Sequence, residues 1–436
     1  MMTHSVQYQK HQEQMQLITA LETLPHYFLD QQQTALASYE HLSLPLIERL
    51  KYENWPLFDT TIVAKEGRDP ILAQGEQSKF HSSASSGIQL VHRGNSTVFT
   101  SLPPELAAQG VLVMDLFEAM VAHPELIEAH LFKVASSLED KLMAYHTAYL
   151  NGGVFVYVPA FVELKQAITV TLQQDSHYRQ AFNKHVLIVA EAGSRLDYME
   201  LLETTGDEEN SATIVVEVIA KAGAKVNYSS IDQLGKRTTA YVKRTALVAQ
   251  DAAVHWALGM MNDGDTILDV DTWLKGTGSV SHVSIASISN DKQVQVADTK
   301  IVNLGHYSQG NILQHGVILD QAVLTFNGTG LIEKDAKYSD SQQESRVLML
   351  SDQARGDANP ILLIEEFEVT AGHAASVGQL DEEQLYYLMS RGLPRQEAEF
   401  LVIRGFLGPV LKRMPSQEAR EQLGQTIDVK LESLSS

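Results

Sequence analysis

His373 sits in Thr370-Ala371-Gly372-His373-Ala374-Ala375, a run of small residues that would leave its ring open to an approaching surface. A neutral imidazole is a good ligand for iron and other borderline metals. The plainer alternative is a histidine that caps backbone groups where β-structure gives way to helix. His306 and His315 flank Tyr307-Ser308-Gln309-Gly310 and could meet across a corner, but no carboxylate stands at metal-site spacing from either. His255, Trp256, Trp273 and His282 read as side chains stacked along a repetitive framework. Asp207-Glu208-Glu209 reads as a solvated loop. Asp263, Asp265, Asp269 and Asp271 imitate a cation loop, yet their spacing misses the calcium pattern and no glutamate closes it. Asp232, Lys236 and Arg237 form the nearest approach to a mixed acid–base group.

What is missing limits the chemistry further. With no cysteine, the chain has no thiolate metal site and no sulfur nucleophile. It has no Walker A loop, no G-x-S-x-G elbow and no H-E-x-x-H. Any ATP consumed in its work must be hydrolysed by another subunit. A formal charge of −21 argues against sequence-independent nucleic-acid binding and against an anionic membrane surface. No apolar run approaches the roughly 18 residues of a spanning helix, and no signal peptide opens the chain, so the cytosol is the expected compartment.

The elements that must position His373 change character around it. Ile361 to Val369 alternates as a strand would. Asp381 suits a helix N-cap, with Gln384 where a capping-box partner belongs. Leu385, Leu388 and Met389 then share one helical face, Gly392 ends that helix and Pro394 opens the next. Ala398, Leu401, Val402 and Phe406 continue an apolar stripe, and a last helix is predicted from Ser416 to about Leu434. Upstream, no proline occurs between Pro159 and Pro360, as paired strands require. Small-residue corners at Ala192-Gly193-Ser194, Ala222-Gly223-Ala224, Asp251-Ala252-Ala253 and Thr277-Gly278-Ser279 recur every ~25–30 residues, between apolar segments. A unit of that size cannot bury its own apolar side, whereas stacked coils share one core. Residues 1–150 read as mainly helical, with helices at Gln14–Leu29, Asp115–Leu131 and Ser137–Tyr149 and a loop at Ser82–Gly87.

His373, Gly378-Gln379-Leu380-Asp381, Leu385-Tyr386-Tyr387-Leu388 and Ser390-Arg391-Gly392 together resemble the C-terminal signature of the SufB/SufD family of iron–sulfur cluster assembly proteins. Asn151-Gly152-Gly153-Val154, Val158-Pro159, His185-Val186-Leu187-Ile188, Phe326-Asn327-Gly328 and Lys51-Tyr52-Glu53-Asn54-Trp55 echo it elsewhere. The resemblance implies a right-handed parallel β-helix over residues 151–369, flanked by a mainly helical region at 1–150 and a C-terminal helical region at 370–436. It also implies a scaffold without turnover of its own. The SufB branch is thought to receive sulfur on a cysteine, so a cysteine-free chain points to the SufD branch.

By the same resemblance, His373 would face a SufB-like sister chain and help hold a transient iron–sulfur cluster, with no cofactor bound stably. One imidazole cannot hold a cluster, which usually takes four ligands. Some relatives carry a cysteine just before this histidine, where Ala371 and Gly372 stand here. A SufC-like ABC-type ATPase would dock on residues 381–434, with Leu385, Tyr386, Leu388, Arg391, Leu401 and Phe406 as partner contacts. In isolation the chain could form a homodimer. The rival readings are a polysaccharide-acting β-helix enzyme, of a type mostly secreted, and a β-helix subunit that assembles only with itself.

Overall fold

The computed structural model describes residues 24–59, 87–414 and 416–433. Helix α1 (His26–Ser38) comes first, then the hairpin of β1 (Ile88–Arg93) and β2 (Ser96–Ser101), α2 (Pro104–Ala107) and β3 (Leu112–Asp115). Three short helices follow: α3 (Leu116–Ala122), α4 (Pro124–His130) and α5 (Lys141–Ala148). The sequence suggested one helix over 115–131. Pro124 divides it, because a proline pushes the residue before it out of the helical region, and His123 takes φ −136°. The third helix starts later than Ser137, since Asp140 is its cap, accepting from the Met143 amide at 2.9 Å. Three strands fall between 88 and 115, where helix was expected. Residues 14–23 of the first expected helix and 82–86 of the expected loop lie outside the described residues.

The rest is a parallel β-solenoid of about eight turns. The strands alternate between two sheets. One carries β5 (Ile168–Ser176), β7 (Arg195–Gly206), β9 (Lys225–Gln233), β11 (Ala253–Met260), β13 (Val280–Ser289), β15 (Gln309–Ile318), β17 (Asp340–Met349) and β19 (Thr370–Gln379). The other carries β4 (Gly153–Val158), β6 (Phe182–Ala190), β8 (Asn210–Ala220), β10 (Thr238–Val248), β12 (Thr266–Leu274), β14 (Val294–Asn303), β16 (Val323–Ile332) and β18 (Arg355–Ile364). The small-residue corners stack as expected: the Gly193 amide donates to the Ala222 carbonyl and the Gly223 amide to that of Gln250. Both glycines hold φ near +70°, the left-handed region that costs a side chain strain.

Because the strands pair in strict register, equivalent side chains form rows along the axis. Tyr198, Tyr228, Trp256, Val283, Ile312, Gln343 and His373 make one such row. The first five are buried in the core between the sheets, and Tyr198 stacks on Tyr228 with ring centres 4.9 Å apart. In the same interior, Arg244 donates to Glu200 at 2.8 Å. The N-terminal elements cover the outer face of the β4-containing sheet. Helices α6 (Glu382–Ser390), α7 (Arg395–Leu411) and α8 (Gln417–Ser433) complete the chain. Ile403, Leu407, Val410, Leu423 and Ile427 pack on the outer face of the β5-containing sheet, and the buried Lys430 ammonium pins α8 to the carbonyls of Met261 and Asn262.

Candidate functional site

The small-residue run around His373 is a strand, β19, and not a junction of strand and helix. Gly, Ala and Ser are weak strand formers, but pairing with β17 along all ten residues overrides that preference. The helical region therefore begins at Asp381, whose carboxylate caps α6 through the Glu383 amide at 2.9 Å, and Gly392 at φ +97° follows that helix. β19 is the outermost strand of its sheet and β18 the outermost of the other. Pro360 lies in β18, an edge position where a missing N–H is tolerated.

This last coil decides the setting of His373. Its row faces the solenoid interior everywhere else, yet the ring is exposed, and no further coil follows among the described residues. Around it Leu363, Ile364 and Val377 are 50, 44 and 40 % exposed, and Phe367 at the corner is 98 % exposed. Asn311, Gln342, Gln343, Glu344, His373 and Arg413 are among the residues that line an open groove of about 550 Å³. Among the described residues no group of three or more His, Asp or Glu side chains could chelate a metal.

The expected docking residues divide into two sets. Leu385 is fully buried, and Phe406 stacks on the buried His315 ring at 5.0 Å, 27° from parallel. Phe406, half-buried, thus packs on its own solenoid, and Leu385 is covered within its own chain. Leu388 is half-buried. Tyr386 and Leu401 are exposed by 74 and 52 %, and Arg391 lies exposed over the Tyr387 ring. An apolar helix surface of this kind with a cation beside it suits a partner.

The other candidates do not converge. His306 is exposed in the corner before β15, whereas His315 is buried six residues into that strand, about 20 Å along it. Asp263 is exposed and pairs with Lys430, and Asp265 accepts the Val294 amide. Asp269 and Asp271 both face Lys243 at 3.0 and 3.2 Å. Asp232 is buried, and burial lifts its carboxyl to about 6. Lys236 and Arg237 are exposed and paired with Asp291 and Glu209. The acid–base group that a polysaccharide-acting enzyme would need is thus split between interior and surface. His255 and His282 do stack, ring centres 4.8 Å apart, and burial holds His255 down at about 4.

Several polar clusters were not anticipated. The His146 and His185 rings meet at 3.2 Å, and His185 contacts Glu217 at 3.0 Å. Glu217 also accepts the amides of Phe132, Val134 and Ala135, anchoring the N-terminal helices. Burial keeps His146 well below the ordinary imidazole range. Asp269 and Asp298 are in register on β12 and β14. Burial first, then the Asp269 and Asp271 charges, push Asp298 up to about 7. Neighbours one coil apart in sequence were the available signal: His315 and Glu344 are 29 residues apart, Lys243 and Asp271 28.

Comparison with known proteins completes the description. A family model for the SUF system FeS cluster assembly SufBD core domain matches residues 170–406, and one for the SufBD protein N-terminal region matches residues 87–170. The iron-sulfur cluster assembly protein SufD of Bacillus subtilis is 39 % identical over 413 residues, covering 91 % of this chain and 92 % of that protein. SufB of the same organism is 26 % identical over 328 residues, covering 75 % of this chain and 70 % of that protein. A SufBD family protein of Staphylococcus saprophyticus is 25 % identical, with the same coverage.

Proposed function

The chain belongs to the SufB/SufD family of iron–sulfur cluster assembly proteins, and on that premise we propose that it is a non-catalytic scaffold subunit of the SufD type. It pairs with a cysteine-bearing SufB-like chain through the open end of its solenoid. The cluster is cargo, assembled between the two chains and passed on. His373 contributes one imidazole ligand, and thiolates of the sister chain supply the rest. A SufC-like ATPase docks on the exposed side of α6 and α7, through Tyr386, Arg391 and Leu401. The cytosol is the proposed place of work; among the described residues no helix is long and apolar enough to cross a membrane.

The observation that carries this reading is the bare last coil. Two strand edges with unpaired backbone groups are a liability that proteins normally cover. Here they stand beside half-exposed leucine, isoleucine and valine side chains and one exposed imidazole. A sister solenoid abutting this end would satisfy the edges and bury the apolar rim. The experiment is affinity capture of the tagged full chain from cells that also express the SufB-like and SufC-like proteins. Both should be retained, and the double variant Tyr386→Ala with Leu401→Ala should lose the ATPase while keeping the paralogue. Recovery of the chain as a homodimer alone would instead favour the self-assembling subunit.

A further inference from the structure

His315 is the only described residue to join α7 directly to the coil beneath His373 by a hydrogen bond at each ring nitrogen. Nδ1 lies 2.8 Å from the Phe406 carbonyl oxygen of α7, and Nε2 lies 3.0 Å from Oε1 of Glu344 on β17. The carbonyl has no proton to give, so Nδ1 must donate. Nε2 then faces a carboxylate, and that contact also needs a proton between its two atoms. Only the doubly protonated ring supplies both N–H groups, unless the proton rests on Glu344. Without it, a lone pair and a carboxylate oxygen oppose each other and one contact must open.

The surroundings do not supply a substitute. Arg346, the register neighbour of His315 on β17, donates through Nε to the same Oε1 at 2.9 Å. On the other side β13 presents uncharged Ala286, and on β15 itself Leu313 and Val317 flank the ring. From α7 come the Phe406 ring and carbonyl, and Arg413 beyond α7 lines the same groove as Glu344. Glu344 is in register with Ala374, the residue after His373.

From this geometry we infer that His315 is a proton-dependent clasp between α7 and the terminal coils, closed when the His315–Glu344 pair holds its proton and open when it does not. Its consequence, that the seating of the helices and the position of the His373 strand change together, rests on the role proposed above for His373.

The test uses the full chain alone, without metal or partners. Amide hydrogen exchange over Ile403 to Leu407, corrected for intrinsic rates, should lose at least about tenfold protection between pH 6 and pH 8. In the His373→Ala variant, where that ring cannot contribute, the amide signals of Ala374 and Ala375, opposite Glu344 and Ser345 in the register, should shift in step. His315→Leu should be weakly protected at both pH values. Glu344→Gln should stay protected at both, because its amide can donate to the bare Nε2. If His315→Leu does not fold, Glu344→Gln still decides the matter. Protection independent of pH in the parent chain, stationary Ala374 and Ala375 amide signals in the His373→Ala variant, or a Glu344→Gln profile like the parent's would each overturn the inference. A failed clasp with His373 still required for cluster yield would spare the proposed function; a working clasp with a dispensable His373 would do the reverse.

Discussion

The two ends of the solenoid are finished differently. At the first coil the parallel stack is terminated by reversal: β3 pairs antiparallel with β4, and β1 is followed by the antiparallel β2. Helices α3 to α5 lie over the adjoining outer face, tied down by Glu217 and by a large apolar cluster. At the last coil no described strand reverses the stack, and the core-facing row runs out at His373. A stack can be closed by its own chain or left for another to close. The same row that buries Trp256 therefore presents an imidazole at its far end.

Substitutions along that row should separate the two situations most sharply. Trp256→Ala removes a buried ring tilted against Tyr228, its indole N–H donating to Thr272 at 3.1 Å, and should cost about 3–5 kcal/mol in denaturant unfolding. His373→Ala at the open end should change the same measurement by less than about 0.5 kcal/mol. Similar losses at both positions would mean that the last coil is as closed as the middle.

The next largest effect concerns the edges. Leu363→Lys with Val377→Lys places charge on the exposed rim and should weaken association with the SufB-like chain by about 100-fold, near 2.7 kcal/mol. The unfolding midpoint of the isolated chain should move little. Titration of the labelled chain with its partner measures the first, and thermal unfolding the second. Undiminished affinity would move the interface elsewhere.

A smaller effect is expected at the carboxylate row on the covered face. The Asp298 carboxyl is raised to about 7, so the folded state binds more protons than the unfolded state between about pH 4 and 7. Stability should fall as pH rises through that window. Asp298→Asn should remove this slope and gain about 1–2 kcal/mol at pH 8. The new amide would extend the stack in which Asn359 donates to Asn327 at 3.0 Å. Calorimetry at pH 5 and pH 8 checks the sign.

The period was legible because Gly193, Gly223 and Gly278 mark corners that must turn left-handed, and because proline is absent from the strands before β18. The rows were harder to read. Offsets of 26 residues from Lys243 to Asp269 and 29 from His315 to Glu344 vary with turn length, so sequence alone could not say which side chains meet. β19 was missed for another reason. Its small residues carry little strand preference, and their conformation is imposed by β17. Phe406 shares an apolar stripe with Leu401, and only packing shows that Phe406 stacks on His315 while Leu401 remains exposed.

The central claim is that the open coil lends one imidazole to a cluster completed by a sister chain. It is tested most directly by anaerobic reconstitution of the full complex with ferrous ion and sulfide, following cluster absorbance. His373→Ala should assemble the complex normally and fold normally, yet yield several-fold less cluster. Full cluster yield from the His373→Ala complex would contradict the account.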